Sequence, residues 1–231
     1  QFSEMLKREF NLTTQTVWIV LALEVAIIML TAFVPYIVKT FVLTRDGTTL
    51  LDEPIYLNNE NVISSNEELH GEVNNKTPPK YRYALSAWFS INPQPPNTRI
   101  AYTQYTNILN YGNKPNVLFN SSKNTLRIQV KNTAAEFEEI YLAKDAVPFQ
   151  KWNHIVLNYD GGNMDVFLNG VLVASKPNII PHADHDDVVA GADRGLEGGI
   201  SNVVFYDRIL TKGEINLEYK LFRDSKRPVI L

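Results

Sequence analysis

A long apolar run near the N-terminus constrains this chain more than any other feature. Residues 17–34, VWIVLALEVAIIMLTAFV, contain one ionisable side chain, that of Glu24. As a helix they would rise about 27 Å, close to the roughly 30 Å hydrocarbon core of a bilayer. Continuation of the helix to Val38 brings its length up to the thickness of the hydrocarbon core. The sequence therefore predicts a transmembrane helix over residues 17–38, preceded by a flank over residues 1–16.

A cleaved signal peptide is the alternative explanation of this run. The apolar core of a signal peptide is shorter, about 7–15 residues, and a small-x-small cleavage site follows it. No such site follows Val34, so the pattern favours an anchor in the lipid bilayer. The chain opens on Gln1 rather than Met, which is typical of part of a longer or processed precursor.

Glu24 lies near the centre of the predicted span. An ionised side chain there costs at least about 2.5–3.5 kcal/mol, and most intramembrane charges have partners. We therefore predict that Glu24 contacts a partner protein within the membrane. A protonated or water-accessible carboxyl on a simple anchor is the alternative, and a proton-translocating role is disfavoured because one span offers no relay.

The sequence does not fix the orientation of the anchor. Lys7 and Arg8 flank one end, and Lys39 and Arg45 flank the other, so the positive-inside rule gives a tie. Glycosylation sequons begin at Asn75 and Asn120. They favour a single-pass protein whose C-terminal domain lies outside the cytoplasm, in a glycosylating compartment.

Residues 39–80 have the composition of a connecting region that joins the following fold only in part. Thr44-Arg45-Asp46-Gly47 is a turn signal that predicts a small hairpin, and residues 58–80 are polar and predict a loop or linker. From Tyr81 onward, short apolar and aromatic runs recur every eight to fifteen residues, which is typical of a sandwich or jelly roll. We assign residues 81–231 to one such domain.

Two turn signals within residues 152–173 predict three consecutive antiparallel strands. Asp160-Gly161-Gly162-Asn163 joins the first two strands, and Asn169-Gly170 supplies the positive φ angles of a tight second hairpin. Ile155, Leu157 and Tyr159 occupy every second position and so share one face of the first strand.

The run W-x-H-I-V, then Y-D-G, then V-F-L-N-G resembles the hairpin signature of laminin-G-like and pentraxin-like domains in the concanavalin A-like superfamily. Residues 198–215 are similar to the closing strand of that family and the short helix after it. The resemblance implies an all-β fold: a two-sheet antiparallel jelly-roll sandwich, preceded here by the transmembrane helix and ended by a short helix. Thr211 and Glu214 form a capping box for that helix, with Ile215, Tyr219 and Phe222 along one face.

Some relatives in this superfamily are glucanases, but the sequence does not supply their two spaced carboxylates. The nearest run, Glu136-Phe137-Glu138-Glu139, lacks the intervening aspartate, and we interpret it as a solvated acidic strand. We predict no catalytic residues and no enzyme activity. We predict a packing role for His154, and we expect Trp88 and Trp152, the obvious stacking candidates, to lie in the core.

The sequence also disfavours metals, cofactors and nucleic acid as ligands. Pro181-His182-Ala183-Asp184-His185-Asp186-Asp187 matches no defined metal loop, so we interpret it as a solvated loop, with calcium binding as the alternative. The absence of cysteine excludes disulfides and zinc-thiolate sites. We predict no metal and no cofactor. A net charge of −3 without a basic block argues against nucleic acid as a partner.

Three functions remain after these exclusions. We favour a membrane-anchored, non-catalytic interaction or structural module that binds protein partners in an assembly beside a membrane. Membrane-anchored domains that resemble this one also occur in large DNA viruses, so the resemblance implies a virion as one setting, with the domain beneath or within the capsid. A membrane-tethered lectin that binds glycans is the first alternative, and a glycoside hydrolase is the second. We lean to the interaction module because the sequence does not assemble a convincing sugar site.

Overall fold

The computed structural model describes residues 4, 15–43, 47–65, 69, 82–96, 100–182 and 187–223, with side chains described only up to residue 34 in the first long helix. The chain divides into two compact units, Gln1–Arg45 and Asp46–Leu231.

The first unit contains helix α1, Gln15–Leu43. Residues Gln15–Val34 have a mean hydropathy of 2.6, and none of this window is buried. It is the one helix in the described part of the chain long and apolar enough to cross a membrane, by length and composition. Apolar side chains exposed over a window of this length suit the hydrocarbon core of a bilayer. The helix is thus consistent with a transmembrane anchor, and it continues beyond Pro35 and Val38.

The second unit is built mainly of strands. The strands are β1 (Gly47–Leu51), β2 (Ile55–Tyr56), β3 (Asn61–Ser64), β4 (Arg82–Ile91), β5 (Thr106–Tyr111), β6 (Asn116–Asn120), β7 (Thr125–Lys131), β8 (Phe137–Lys144), β9 (Trp152–Asp160), β10 (Asn163–Leu168), β11 (Val171–Lys176), β12 (Val188–Ala190) and β13 (Gly198–Tyr206). A one-turn helix α2, Ile100–Thr103, precedes β5, and helix α3, Lys212–Arg223, follows β13.

The strands form two antiparallel sheets. The first sheet has the order β1-β13-β4-β9-β10-β11, with β2 also paired to β13, and the second has the order β3-β12-β5-β6-β7-β8. Non-consecutive neighbours such as β13 and β4 give the crossovers of a jelly roll. The predicted all-β sandwich with a short C-terminal helix is confirmed.

The core lies between the sheets because alternate side chains of each strand point inward. On β4, Leu85 and Phe89 face this core, as do Ile155 and Leu157 on β9. Each is almost wholly buried. Burial of such side chains contributes about 1.5–3 kcal/mol apiece, which makes this interface the main source of stability.

The predicted hairpins are confirmed in detail. Asp160 pairs with Asn163 across the first turn, and Leu168 pairs with Val171 across the second. In the second turn Asn169 and Gly170 have φ angles of 51° and 79°. Both central residues of a type I′ turn require such values, which explains the Asn-Gly pair.

The segment before Tyr81 differs from the sequence expectation in two places. The hairpin predicted at Thr44-Arg45-Asp46-Gly47 does not form between its flanks, because residues 41–43 continue α1 and β1 pairs with β13 instead. Residues Asn61–Ser64, expected within a loop, form β3 and pair with β12. Three strands of this segment therefore belong to the sheets, while residues 70–81 lie outside the described part.

Candidate binding site

The outer face of the first sheet, opposite the core, carries helix α3. Alternation along β4 sends Ala84, Ser86 and Trp88 to this face. Ala84 packs in a second apolar cluster with Tyr206 of β13 and Ile215 of α3. Amphipathic α3 covers part of a sheet that would otherwise be exposed on this side.

Helix α3 begins with the predicted capping box. The Thr211 backbone N–H donates to Glu214 Oε2 at 2.7 Å, and the Glu214 N–H donates to Thr211 Oγ1 at 3.3 Å. The Arg208 guanidinium donates to both carboxylate oxygens at 2.8 and 3.2 Å. These bonds, led by that from Arg208, lower the pKa of Glu214 to about 2. The first turn is therefore fixed by charge-assisted hydrogen bonds.

A buried polar network joins α3 to the sheet. Ser86 Oγ donates to Glu218 Oε1 at 2.8 Å and lies 2.9 Å from His154 Nε2. Because the hydroxyl has one proton, Nε2–H must donate to Ser86 Oγ. Burial, with a further contribution from the nearby Glu218 carboxyl, raises the pKa of Tyr206 beyond its usual range. The arrangement packs and orients α3, which confirms the packing role predicted for His154.

Aromatic rings continue this contact towards the end of α3. The Trp88 ring is stacked with that of His154 at 4.8 Å between centroids and with that of Tyr219 at 5.9 Å. Phe222 meets Trp88 edge-on at 6.1 Å. Such aromatic pairs contribute about 0.5–1.5 kcal/mol each beyond the area they bury.

A cleft opens where α3 ends. We call it the helix cleft; its volume is about 430 Å³. It is lined by Trp88, Pro148, Lys151, Trp152, Asn153, Asn169, Asn202, Tyr219, Phe222 and Arg223. Trp152 is half-buried at its rim, so the expectation that Trp152 lies in the core is wrong, whereas Trp88 is buried as predicted.

The cleft contains a buried donor without a partner. Trp88 is 2% exposed, and its Nε1 has no hydrogen-bond partner among the described residues. An unsatisfied buried donor costs about 1–3 kcal/mol. The Asn202 side chain also makes no hydrogen bond within that part of the chain, and Lys151 is exposed and makes no ion pair there. The Asn202 amide and the Lys151 ammonium are thus open to a ligand, and the Trp88 Nε1–H would be satisfied by an acceptor that reaches it.

The predicted acidic strand is engaged in ion pairs. Glu138 lies 3.0 Å from Lys176 Nζ, and Glu139 lies 3.2 Å from Arg127 Nε. Within the described residues no three His, Asp or Glu side chains converge in a geometry that could hold a metal ion. Most of the predicted loop, residues 183–186 with Asp184 and Asp186, lies outside the described part. Asp187, at its end, is exposed.

The remaining predicted residues lie in different places. Glu24 is exposed on α1 in the first unit. Asn75 lies outside the described residues. Asn120 is buried, and its amide donates to the Thr103 carbonyl at 3.1 Å.

Sequence reasoning missed three residues. No pattern in the sequence marks Lys151 or Asn202 as part of a site. Glu218 did give a signal, because it lies three residues after Ile215 and therefore on the apolar face of α3.

Comparison with known proteins agrees with this fold. The family model described as the concanavalin A-like lectin/glucanases superfamily matches residues 64–216, more than half of the chain. No curated protein sequence matches. Solved structures with a similar fold include the binding domain of Paraclostridial Mosquitocidal Protein 1 and the receptor binding domain of botulinum neurotoxin mosaic serotype C/D.

Both similarities are confined to the fold. The mosquitocidal domain is 11% identical with a TM-score of 0.51, over 60% of this chain and 37% of that one. The neurotoxin domain is 16% identical with a TM-score of 0.51, over 64% of this chain and 38% of that one. The chain thus spans less than two fifths of either relative. On the extent of the family match and the two-sheet topology, the chain belongs to the concanavalin A-like lectin/glucanases superfamily.

Proposed function

We propose that this chain is a membrane-anchored, non-catalytic interaction module that binds a protein partner in an assembly beside a membrane, such as a virion. Helix α1 anchors it, and the sandwich lies outside the cytoplasm or beneath a capsid. The ion-paired carboxylates of β8 support a non-catalytic role, as do the fold relatives, which are named as binding domains.

One observation carries the choice of a protein partner. Strand β11 is one edge of the first sheet and β8 is one edge of the second, and Lys176 of β11 joins them by donating to the Glu139 carbonyl. Large apolar side chains are exposed along both edges. We call this the edge surface; it consists of Phe137, Leu142, Val171 and Leu172. Exposed apolar edge strands favour pairing with another chain.

The test compares two edges of the sandwich. The full chain, solubilised from its native membrane in mild detergent, should co-purify with a protein neighbour. The double substitution Leu142→Lys and Leu172→Lys should abolish this recovery. Val62→Lys is the control, because Val62 is exposed at least as much as the two leucines and lies on β3, an edge strand of the second sheet that does not belong to the edge surface. Equal recovery with all variants, or a monomer retained only by immobilised glycans, would contradict the proposal.

A second candidate, a membrane-tethered lectin, is favoured by Trp152. Its half-exposed ring at the cleft rim offers a stacking surface close to the unengaged Asn202 amide. Trp152→Ala should then abolish retention on immobilised glycans without loss of stability. A chain that never binds glycans would exclude this candidate.

A further inference from the structure

We propose that the helix cleft binds an extended, proline-containing segment of the protein partner, flanked by acidic side chains. The inference rests on the proposed function, because it assigns part of the partner to this cleft. A volume of about 430 Å³ accommodates a few side chains rather than a folded surface. Rings of Trp88, Trp152, Tyr219 and Phe222 line it, and aromatic-lined grooves are what proline-rich segments bind.

The unsatisfied Nε1–H donor of Trp88 favours a peptide carbonyl as its partner. Both His154 and Tyr219 stack with the Trp88 ring, so the part of Trp88 that still needs a partner is the Nε1–H on its edge. A peptide carbonyl supplies the missing acceptor. A proline segment offers carbonyls without adding backbone N–H groups that would need acceptors in turn. A cleft rich in donors thus matches a ligand poor in donors.

The hydrogen bonds made by the side-chain amides of the cleft favour a peptide over a sugar. Asn153 donates to the carbonyls of Pro148 and Lys151, and its side-chain oxygen accepts from Asn169. The Asn169 oxygen accepts the His154 N–H. These amides are committed to the protein itself. A sugar ring needs several polar side chains to fix its hydroxyls, whereas a proline segment needs apolar contact and few hydrogen bonds.

Positive charge beside the helix cleft favours an acidic residue in the ligand. Lys151 makes no ion pair within the described residues, and the Arg223 guanidinium lies 5.7 Å from the Tyr219 ring centroid. Among the described residues that line the helix cleft, none is acidic. An acidic residue beside the proline run would complement Lys151, and the attraction would weaken as salt is added.

The experiment uses the full chain in phospholipid nanodiscs and two synthetic peptides. One has the sequence Glu-Pro-Pro-Leu-Pro-Glu, and the other replaces its three prolines with alanine. The indole ¹⁵N–¹H signal of Trp88 reports directly on its Nε1–H. We expect the proline peptide to shift this signal saturably and the alanine peptide to bind at least about tenfold more weakly.

Two substitutions assign the contacts. Trp88→Phe keeps a ring but removes the donor, so it should weaken binding by about tenfold, followed through the Trp152 signal, while thermal stability stays near that of the parent. Lys151→Gln should weaken binding several-fold and reduce its salt dependence. Trp18→Phe, on α1, is the control and should change neither the affinity for the peptide nor its salt dependence.

Other outcomes overturn the inference. Equal binding of both peptides, or no shift of Trp88, would refute it even if edge-dependent recovery of a protein partner showed that the proposed function holds. A shift caused by sialyllactose or maltotetraose in place of the peptide would assign the cleft to a glycan. Conversely, peptide binding by a chain that recovers no protein neighbour would refute the proposed function in the cell while leaving the chemistry of the cleft established.

Discussion

The Ser86 hydroxyl donates a hydrogen bond of 2.8 Å to the buried carboxyl of Glu218, joining the centre of one sheet to the helix that covers it. His154 completes this network through Ser86. The contact holds α3 against the face of the sheet that carries the helix cleft.

Loss of the Glu218 acceptor should release α3. Glu218→Ala leaves the buried Ser86 hydroxyl without its acceptor and removes a carboxyl packed between helix and sheet, and we expect it to lower the free energy of unfolding by about 3 kcal/mol. Glu218→Gln should cost less because an amide oxygen still accepts. Guanidinium titration of the full chain in detergent, followed by tryptophan fluorescence, measures both. Glu136→Ala, at an exposed acidic residue, is the control and should stay within about 0.5 kcal/mol. If the Glu218→Ala variant had the same free energy of unfolding as the parent, the network would not be what holds α3 on the sheet.

The cap of α3 should make stability depend on pH. The folded pKa of Glu214 is lowered to about 2 from an ordinary 4.5, so its contribution is complete above about pH 4.5 and is lost as the pH falls towards 2. Glu214 is more than a third exposed, which limits the contribution to about 1 kcal/mol at neutral pH. Glu214→Ala should show this deficit at pH 7 and a smaller one at pH 3. A deficit that is equal at both values would assign the effect to helix packing rather than to the ionised cap.

Local chemistry explains why the sandwich was predictable. Asn169-Gly170 permits one kind of turn between two alternating strands, so the hairpin follows from its own residues. The short strands before Tyr81 were not recognised, because β3 has four residues and depends on pairing with β12, more than a hundred residues later.

The cleft could not be predicted for a related reason. It depends on side chains from β4, β9, β13 and α3 that converge only in three dimensions. The sequence shows that Glu218 lies on an apolar helix face, yet it does not show Ser86 opposite. Likewise, Trp152 has the pattern of a core strand residue. Its position at the rim depends on where α3 ends.

Gly170 should be less replaceable than Gly161, the glycine of the first hairpin that has open space around it. A Cβ there would lie 2.8 Å from Asn216 Oδ1 and 3.2 Å from Tyr219 Cδ1, in addition to strain at φ 79°. At Gly161, φ is 53° but nothing lies within 4 Å. We expect Gly161→Ala to cost about 1 kcal/mol and Gly170→Ala about 2 kcal/mol or more, measured by the same guanidinium titration. Equal costs would mean that α3 yields freely at this contact.

Asn120 should carry no glycan although its sequon is intact. The side chain is 1% exposed; its amide nitrogen donates to the Thr103 carbonyl, and its oxygen accepts from Ser122 and Lys123. An attached sugar would break this network and require space inside the protein. Glycopeptide mass spectrometry on the full chain from a glycosylating host should find Asn120 unmodified. Occupancy at Asn120 in natively folded protein would contradict its buried position.

Glu24 should act as a contact within the membrane. It is exposed on α1 amid apolar side chains, and Thr31 lies seven residues later on the same helix face. A partner helix with a basic or hydrogen-bonding side chain at mid-span would offset the cost of placing a carboxyl there. Glu24→Leu should therefore reduce cross-linking between the full chain and its membrane neighbour several-fold while membrane insertion is kept, and Glu24→Gln should retain part of it. The control is Ala26→Leu, on the opposite face of α1. If Glu24→Leu cross-links as well as the parent chain, α1 is a tether alone and recognition of the partner belongs to the sandwich.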